Sequence, residues 1–240
     1  MDAHLAPLPA ETAAAIPIPG PEEPRLRRIS GVSGIVFFVV FVLVIVLSPD
    51  IGNPGDSAAV LRADVSRHAT SAQVFTWIVG LQPLLLLLLA AGLRDRLSRA
   101  GQAGLAAVGM AGAVAILAVT TVQHACEGAL EYLVQTGRAG DAELTTLNAL
   151  SYASETVVRF PTAVLVGALS LAVLRSRALP RWFGYLGLIE AAASLVAAGS
   201  TSSSGPLQVN GPVAVPSLLL LLVWALAGGI ALLRAADGAP

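Results

Sequence analysis

Six long stretches of this chain carry almost no charge, and nearly every ionisable side chain lies in the gaps between them or ahead of the first. That segregation dictates the solvent. Crossing the hydrocarbon core of a bilayer takes about 20 consecutive apolar residues, and stretches of that order lie at residues 30–48, 72–93, 104–122, 147–174, 182–199 and 213–233. With 55% hydrophobic and 12% charged residues and a mean hydropathy of +0.77, the composition is not that of a water-soluble domain of this length. The expected fold is all-α, a polytopic membrane protein whose six transmembrane helices form one domain over residues 25–236.

The basic residues orient it, and all of them are arginine. Arg25, Arg27 and Arg28 precede the first stretch, Arg94, Arg96 and Arg99 separate the second from the third, Arg175, Arg177 and Arg181 separate the fourth from the fifth, and Arg234 follows the sixth. The positive-inside rule makes these connections cytoplasmic, and with them both termini, in a cell membrane. The opposite connections set Arg62, Arg67 and Arg138 against Asp50, Asp56, Asp64, Glu127, Glu131, Asp141 and Glu143. The formal net charge of -1 therefore averages two faces of opposite sign.

Residues 1–24, rich in Pro, Ala and Glu, bury too little apolar surface to order themselves and are expected to form a disordered cytoplasmic tail. The first stretch is longer than a signal-peptide core and no small-residue cleavage pattern follows, so it is expected to stay in the protein. A single cysteine, Cys126, excludes an internal disulfide, CxxC redox chemistry and Cys-rich metal sites.

Short cytoplasmic turns predict antiparallel hairpins for stretches two and three and for four and five. Residues 57–67 predict a short amphipathic helix at the interface. The third helix is expected to run past the membrane and stop near Gly137. Gly104, Gly109 and Gly112, with Gly184 and Gly187, predict close helix packing, whereas residues 200–211 read as a flexible loop without chemistry. No internal repeat of the kind found in many secondary transporters is visible.

Helical spacing aligns Tyr152, Glu155, Arg159 and Thr162 on one face of the fourth stretch. Counting from the ends of their stretches sets Arg159 and Glu190 near the same depth, which predicts an ion pair with Glu155 one turn further out. Gln82, just before Pro83, comes to a similar level. A second stripe of Thr120, His124, Glu127 and Glu131 lies on the third helix. Together they predict a polar cavity open to the outside, narrowing from His124, Glu127 and Glu131 to Glu155, Arg159, Glu190 and Gln82. Intramembrane charges are costly and mark function, and two carboxylates beside one arginine exceed what packing needs. A carboxyl group kept protonated there can act as a general acid or carry a proton.

His124, Glu127, Glu131 and His68 lie near the outer face, but no HExxH or comparable ligand pattern accompanies them, and no metal is expected. No Walker-type glycine loop or dinucleotide fingerprint is present, so no cofactor is expected either, and no nucleic-acid partner.

At residues 25–32 (RLRRISGV) and 176–188 (SRALPRWFGYLGL) the chain resembles uncharacterised bacterial multi-spanning proteins of unknown function, in which an Arg-rich start and a Pro-Arg-aromatic-Gly turn lead into helices. The resemblance implies a six-helix fold and supplies no reaction. In size the chain is also similar to the small integral-membrane terpene cyclases, in which buried acids protonate an isoprenoid. Three functions fit these observations. The first is an enzyme acting on a lipid or isoprenoid, with Glu155 and Glu190 as acids, Arg159 orienting them, and Gln82, Tyr152, His124, Glu127 and Glu131 binding substrate. The second is a proton-coupled small-molecule carrier. The third is an accessory subunit, bound to a partner or to copies of itself.

Overall fold

The computed structural model describes residues 23–47, 53, 55–202, 205–209 and 211–237, so the tail expected over residues 1–24 lies outside them except for the first two residues of the first helix. Among the described residues the chain forms helices α1 (Glu23–Leu47), α2 (Ala58–Leu97), α3 (Ala103–Thr136), α4 (Asp141–Val157), α5 (Arg159–Ser176), α6 (Arg181–Ala197) and α7 (Val215–Asp237). No strand forms there, only one isolated bridge between Ser202 and Gln208.

Four helical stretches are long and apolar enough to cross a membrane: Arg25–Leu47, Thr76–Thr136, Asp141–Ser176 and Val215–Arg234. The second contains two arms, because α2 turns into α3 over a wide turn at Ser98–Gln102 in which Gly101 has a φ of 80°. α6, with 17 residues, rises about 26 Å, slightly less than the ~30 Å of a hydrocarbon core.

The helices close into a ring. α1 packs on α2, α2 on α3, α3 on α4 and α5, α5 on α6, α6 on α7, and α7 returns to α1. Small residues set several of these distances. A Cβ on Gly112 would lie 2.6 Å from the Leu165 nitrogen and 2.8 Å from the Pro161 carbonyl oxygen, and one on Gly229 would lie 2.6 Å from the Gly31 oxygen. Gly109, Gly184 and Gly187 are likewise pressed against α5 as expected, whereas Gly104 has open space beside it.

At its arginine-rich end the ring is filled. Leu89, Leu93, Leu97, Leu169, Val173 and Leu232 are sealed from solvent, and Phe183 stacks on Trp224 with centroids 5.4 Å apart and planes at 15°. Arg96 ties this end together by donating to the Ala178 carbonyl from both Nε and Nη2, at 3.0 and 2.8 Å.

The opposite end carries a helical cap. The short helix expected over residues 57–67 is continuous with the second stretch, joined to it by a kink at His68 (φ −113°, ψ 15°). Its Ala58, Leu61 and Val65 pack with Leu130 of α3 and Leu144 of α4 into a small second core. Arg62 of α2 bonds Asp141 at 2.6 Å and the Ala139 carbonyl at 2.9 Å. α3 does run to Gly137, where a φ of 64° puts the backbone in the left-handed region. The Gly137 and Arg138 amides then donate back to Val134 and Leu133, at 3.1 and 3.3 Å, a Schellman closure that needs glycine for its free access to positive φ.

The fourth stretch is not one helix. Pro161 lacks an N–H and its ring crowds the carbonyl four residues earlier, so the regular helix is interrupted at Val158, between α4 and α5, while the backbone there stays right-handed (φ −59°, ψ −20°). α5 alone, with 18 residues, rises about 27 Å. α4, with its Asp141, Glu143, Asn148 and Glu155, packs on α3 and α2 in the cap, and α4 and α5 together make up the apolar stretch Asp141–Ser176.

Candidate functional site

Where the ring meets the cap it encloses a cavity of about 430 Å³. Every layer of the ring contributes to its wall. α1 and α7 supply an apolar side from Phe37, Phe41, Val44, Ile45, Leu218 and Leu221, and α2 adds Val79 and Leu86. α3 supplies Thr120, Gln123, His124 and Glu127, α4 supplies Glu155, α5 supplies Arg159 and Thr162, and Gln82, Ser194 and Ser217 complete the polar side.

Arg159 is the first residue of α5 and is 9% exposed. Its Nη1 donates to Ser217 Oγ at 2.5 Å and to the Ala214 carbonyl at 3.4 Å, which anchors α5 to the start of α7. The ion pair expected between Arg159 and Glu190 does not form among the described residues. Glu190 instead accepts from Ser194 Oγ at 2.7 Å, while its Oε2 is buried without a hydrogen-bond partner. The reason is register. Arg159 opens α5, a full helical length from the arginine-rich turn that joins α5 to α6, whereas the fully buried Glu190 lies midway along α6 and so nearer that turn.

On the cap side, Glu127 Oε1 accepts from Gln123 Nε2 at 3.1 Å and from Ser151 Oγ at 2.8 Å. Ser151 precedes Glu155 by one turn, so Glu127, Glu155 and Arg159 form a column descending into the ring. Thr120 and Thr162 turn their hydroxyls to their own helix carbonyls, at 2.8 Å each. Gln82, just before Pro83, has a buried Nε2 with no acceptor among the described residues.

Of the residues expected at the site, Gln82, His124, Glu127, Glu155 and Arg159 line one cavity. Three others stand apart. Glu131 accepts from Thr76 at 3.2 Å between α3 and α2. Tyr152 borders a separate cleft of about 390 Å³ with Thr156, Phe160, Thr201 and Ser202, so the loop over residues 200–211 is partly a wall there. Thr156 bonds the Ser200 carbonyl at 3.2 Å beside it. Glu190 touches the cavity only through Ser194.

Sequence reasoning missed Ser194, Ser217 and the aromatic side of α1. Ser194 lies one turn after Glu190, and Ser217 is a polar residue at the start of the sixth apolar stretch. Both spacings were readable. The aromatic side was not, because a phenylalanine facing a cavity and one facing lipid look alike in sequence.

Chemically, the site offers a cation held by neutral acceptors, carboxylates one and two turns above it, and an apolar slot beside them. Comparison of the chain with protein-family models, with curated proteins and with solved structures gave no match in any of the three.

Proposed function

We propose that this chain is a six-span membrane protein with both termini cytoplasmic, and that it is an enzyme acting on a lipid or isoprenoid by acid catalysis. The gathering of the arginine-rich turns at one end of the ring supports the orientation. The observation that carries the function is the mixed lining of one cavity, in which Glu155 and Arg159 share the wall with Phe37, Phe41 and Leu221. An acid must reach the atom that it protonates. Glu155 lines the cavity and Glu190 does not, so Glu155 is the proton donor in this reading and Glu190 supports Ser194 behind the wall.

Protonation of an alkene or an oxygen leaves a carboxylate, which the adjacent Arg159 stabilises, and a developing cation. The rings of Phe37 and Phe41, with centroids 5.7 Å apart in the lining of the same cavity, are suited to face it. Cyclisation of a polyprenyl chain is the reaction such a pair would start. The test is incubation of the nanodisc-embedded protein with geranylgeraniol and geranylgeranyl diphosphate, with products followed by liquid chromatography and mass spectrometry. Conversion by the wild type that is lost in Glu155→Gln with folding intact supports the reading. Full conversion by Glu155→Gln, or none by the wild type, overturns it.

A proton-coupled carrier is the second reading, favoured by the break at Val158 beside the cavity and the packed core beneath it. Broken helices border the substrate sites of many transporters. Solute uptake into proteoliposomes that follows an imposed pH gradient would favour the carrier, and uptake indifferent to the gradient would remove it.

A further inference from the structure

We propose that the cavity selects a single-chain zwitterionic amphiphile, with its anionic group on Arg159, its cationic group toward Glu127, and its chain along α1 and α7. The proposal rests on reading this cavity as a site for a lipid, the alternative there to the isoprenoid, and adds the chemistry of the head group.

The first observation is the guanidinium itself. Arg159 is nine-tenths buried, lines the cavity, and uses Nη1 for both of its hydrogen bonds. Nε and Nη2 make no hydrogen bond among the described residues. These two donors form one planar edge, the geometry that grips a carboxylate or phosphate with two parallel bonds.

The second is the order of charge. Glu155 lies one turn above Arg159, about 6 Å along the helix, and Glu127 lies a further turn up, at the level of Ser151. A lone anion seated on Arg159 would face the Glu127 carboxylate further up the column. A lone cation seated beside Glu127 would face the arginine. A head group carrying both signs, anion inward and cation outward, is attracted at both positions.

The third is what lies beneath and beside the head. Gln82 Nε2 is buried, lines the cavity and has no acceptor among the described residues, so it offers a donor to an ester or hydroxyl linking head to tail. Phe41, Leu218 and Leu221 give the tail an apolar surface. A volume of about 430 Å³ lies in the lower part of the ~300–1,000 Å³ of small-molecule pockets, which suits one chain and not two.

The test is native mass spectrometry of the full-length protein in a non-ionic maltoside. Lysophosphatidylethanolamine, lysophosphatidic acid and monoacylglycerol of the same acyl length are titrated separately, with acylcarnitine as a zwitterion whose anion is a carboxylate. At least one of the two zwitterions is expected to bind about tenfold more tightly than the anionic and neutral lipids, a difference of ~1.4 kcal/mol. Which zwitterion binds more tightly tells phosphate from carboxylate. Arg159→Ala should abolish the preference, and Arg159→Lys, which keeps the charge and loses the planar edge, should reduce it. Glu127→Gln should raise the affinity for lysophosphatidic acid relative to the zwitterions. Equal or tighter binding of the anionic or neutral lipid, an unchanged preference in a folded Arg159→Lys variant, or no retention of any of the four lipids overturns the proposal. Because binding is read without turnover, a zwitterion preference with no lipid converted would remove the enzyme reading alone. Conversion of an isoprenoid without that preference would remove the head-group assignment alone.

Discussion

Glu155 and Glu190 are both carboxylates near one arginine, yet their surroundings give them different work. Glu155→Gln is expected to lower turnover about 10²–10⁴-fold, the usual worth of a positioned general acid. Glu190→Gln keeps an oxygen for Ser194 and leaves the cavity wall unchanged, so its turnover should stay within about tenfold of wild type, far above that of Glu155→Gln. Steady-state rates on the same lipid substrate, with circular dichroism to confirm folding, separate the two. The polar stripes were readable from helical spacing alone, and Gln82, His124, Glu127, Glu155 and Arg159 do meet. That Arg159 and Glu190 do not pair was not readable, because hydropathy gives the ends of an apolar stretch and not how far along its helix each residue stands from the turn that joins α5 to α6.

Helix boundaries followed local chemistry closely where a residue type left no choice. Gly137 ends α3 in the left-handed region, and Gly137→Ala should destabilise the protein by about 1–2 kcal/mol through the cost of that conformation for an L side chain. Thermal unfolding in detergent would measure it. Pro161 carried an equally plain signal, but inside a continuous apolar run it reads as a tolerated residue, and only the packed structure makes it the divider between cap and ring. Close packing was legible in kind and less so in position. Gly109 and Gly112 bear on α5, whereas Gly104 touches nothing and the tight approach of Gly31 and Gly34 to Gly229 went unforeseen. Gly112→Val pushes against backbone atoms of Leu165 and Pro161 that cannot rotate away. It should therefore cost at least about 1–3 kcal/mol and loosen the wall that holds Arg159, which a fall in both unfolding temperature and lipid retention would report.

For the molecule as a whole, the chain supplies its own topology reporter. Cys126, a free and partly exposed thiol on the cap-ward part of α3, should react with a membrane-impermeant maleimide added to intact spheroplasts. In a Cys126→Ser background, a cysteine replacing Arg177 should react only after permeabilisation. The reverse pattern would invert the proposed orientation. Trp182 and Tyr185 are exposed near the arginine-rich end and Trp77 toward the cap, where the proposed orientation calls for interfacial aromatics.

The cap is joined to the ring through helical connections, with α3 passing from one to the other unbroken, α2 bending at His68 and α4 turning into α5 at Val158. With Arg62 clamping α2 to the start of α4, the helices of the cap are, or run directly into, those that carry Gln82, Glu127, Glu155 and Arg159. Roof and walls of the chamber are thus one run of chain, and a binder seated on the cap would rest on the very helices that shape a space it never enters.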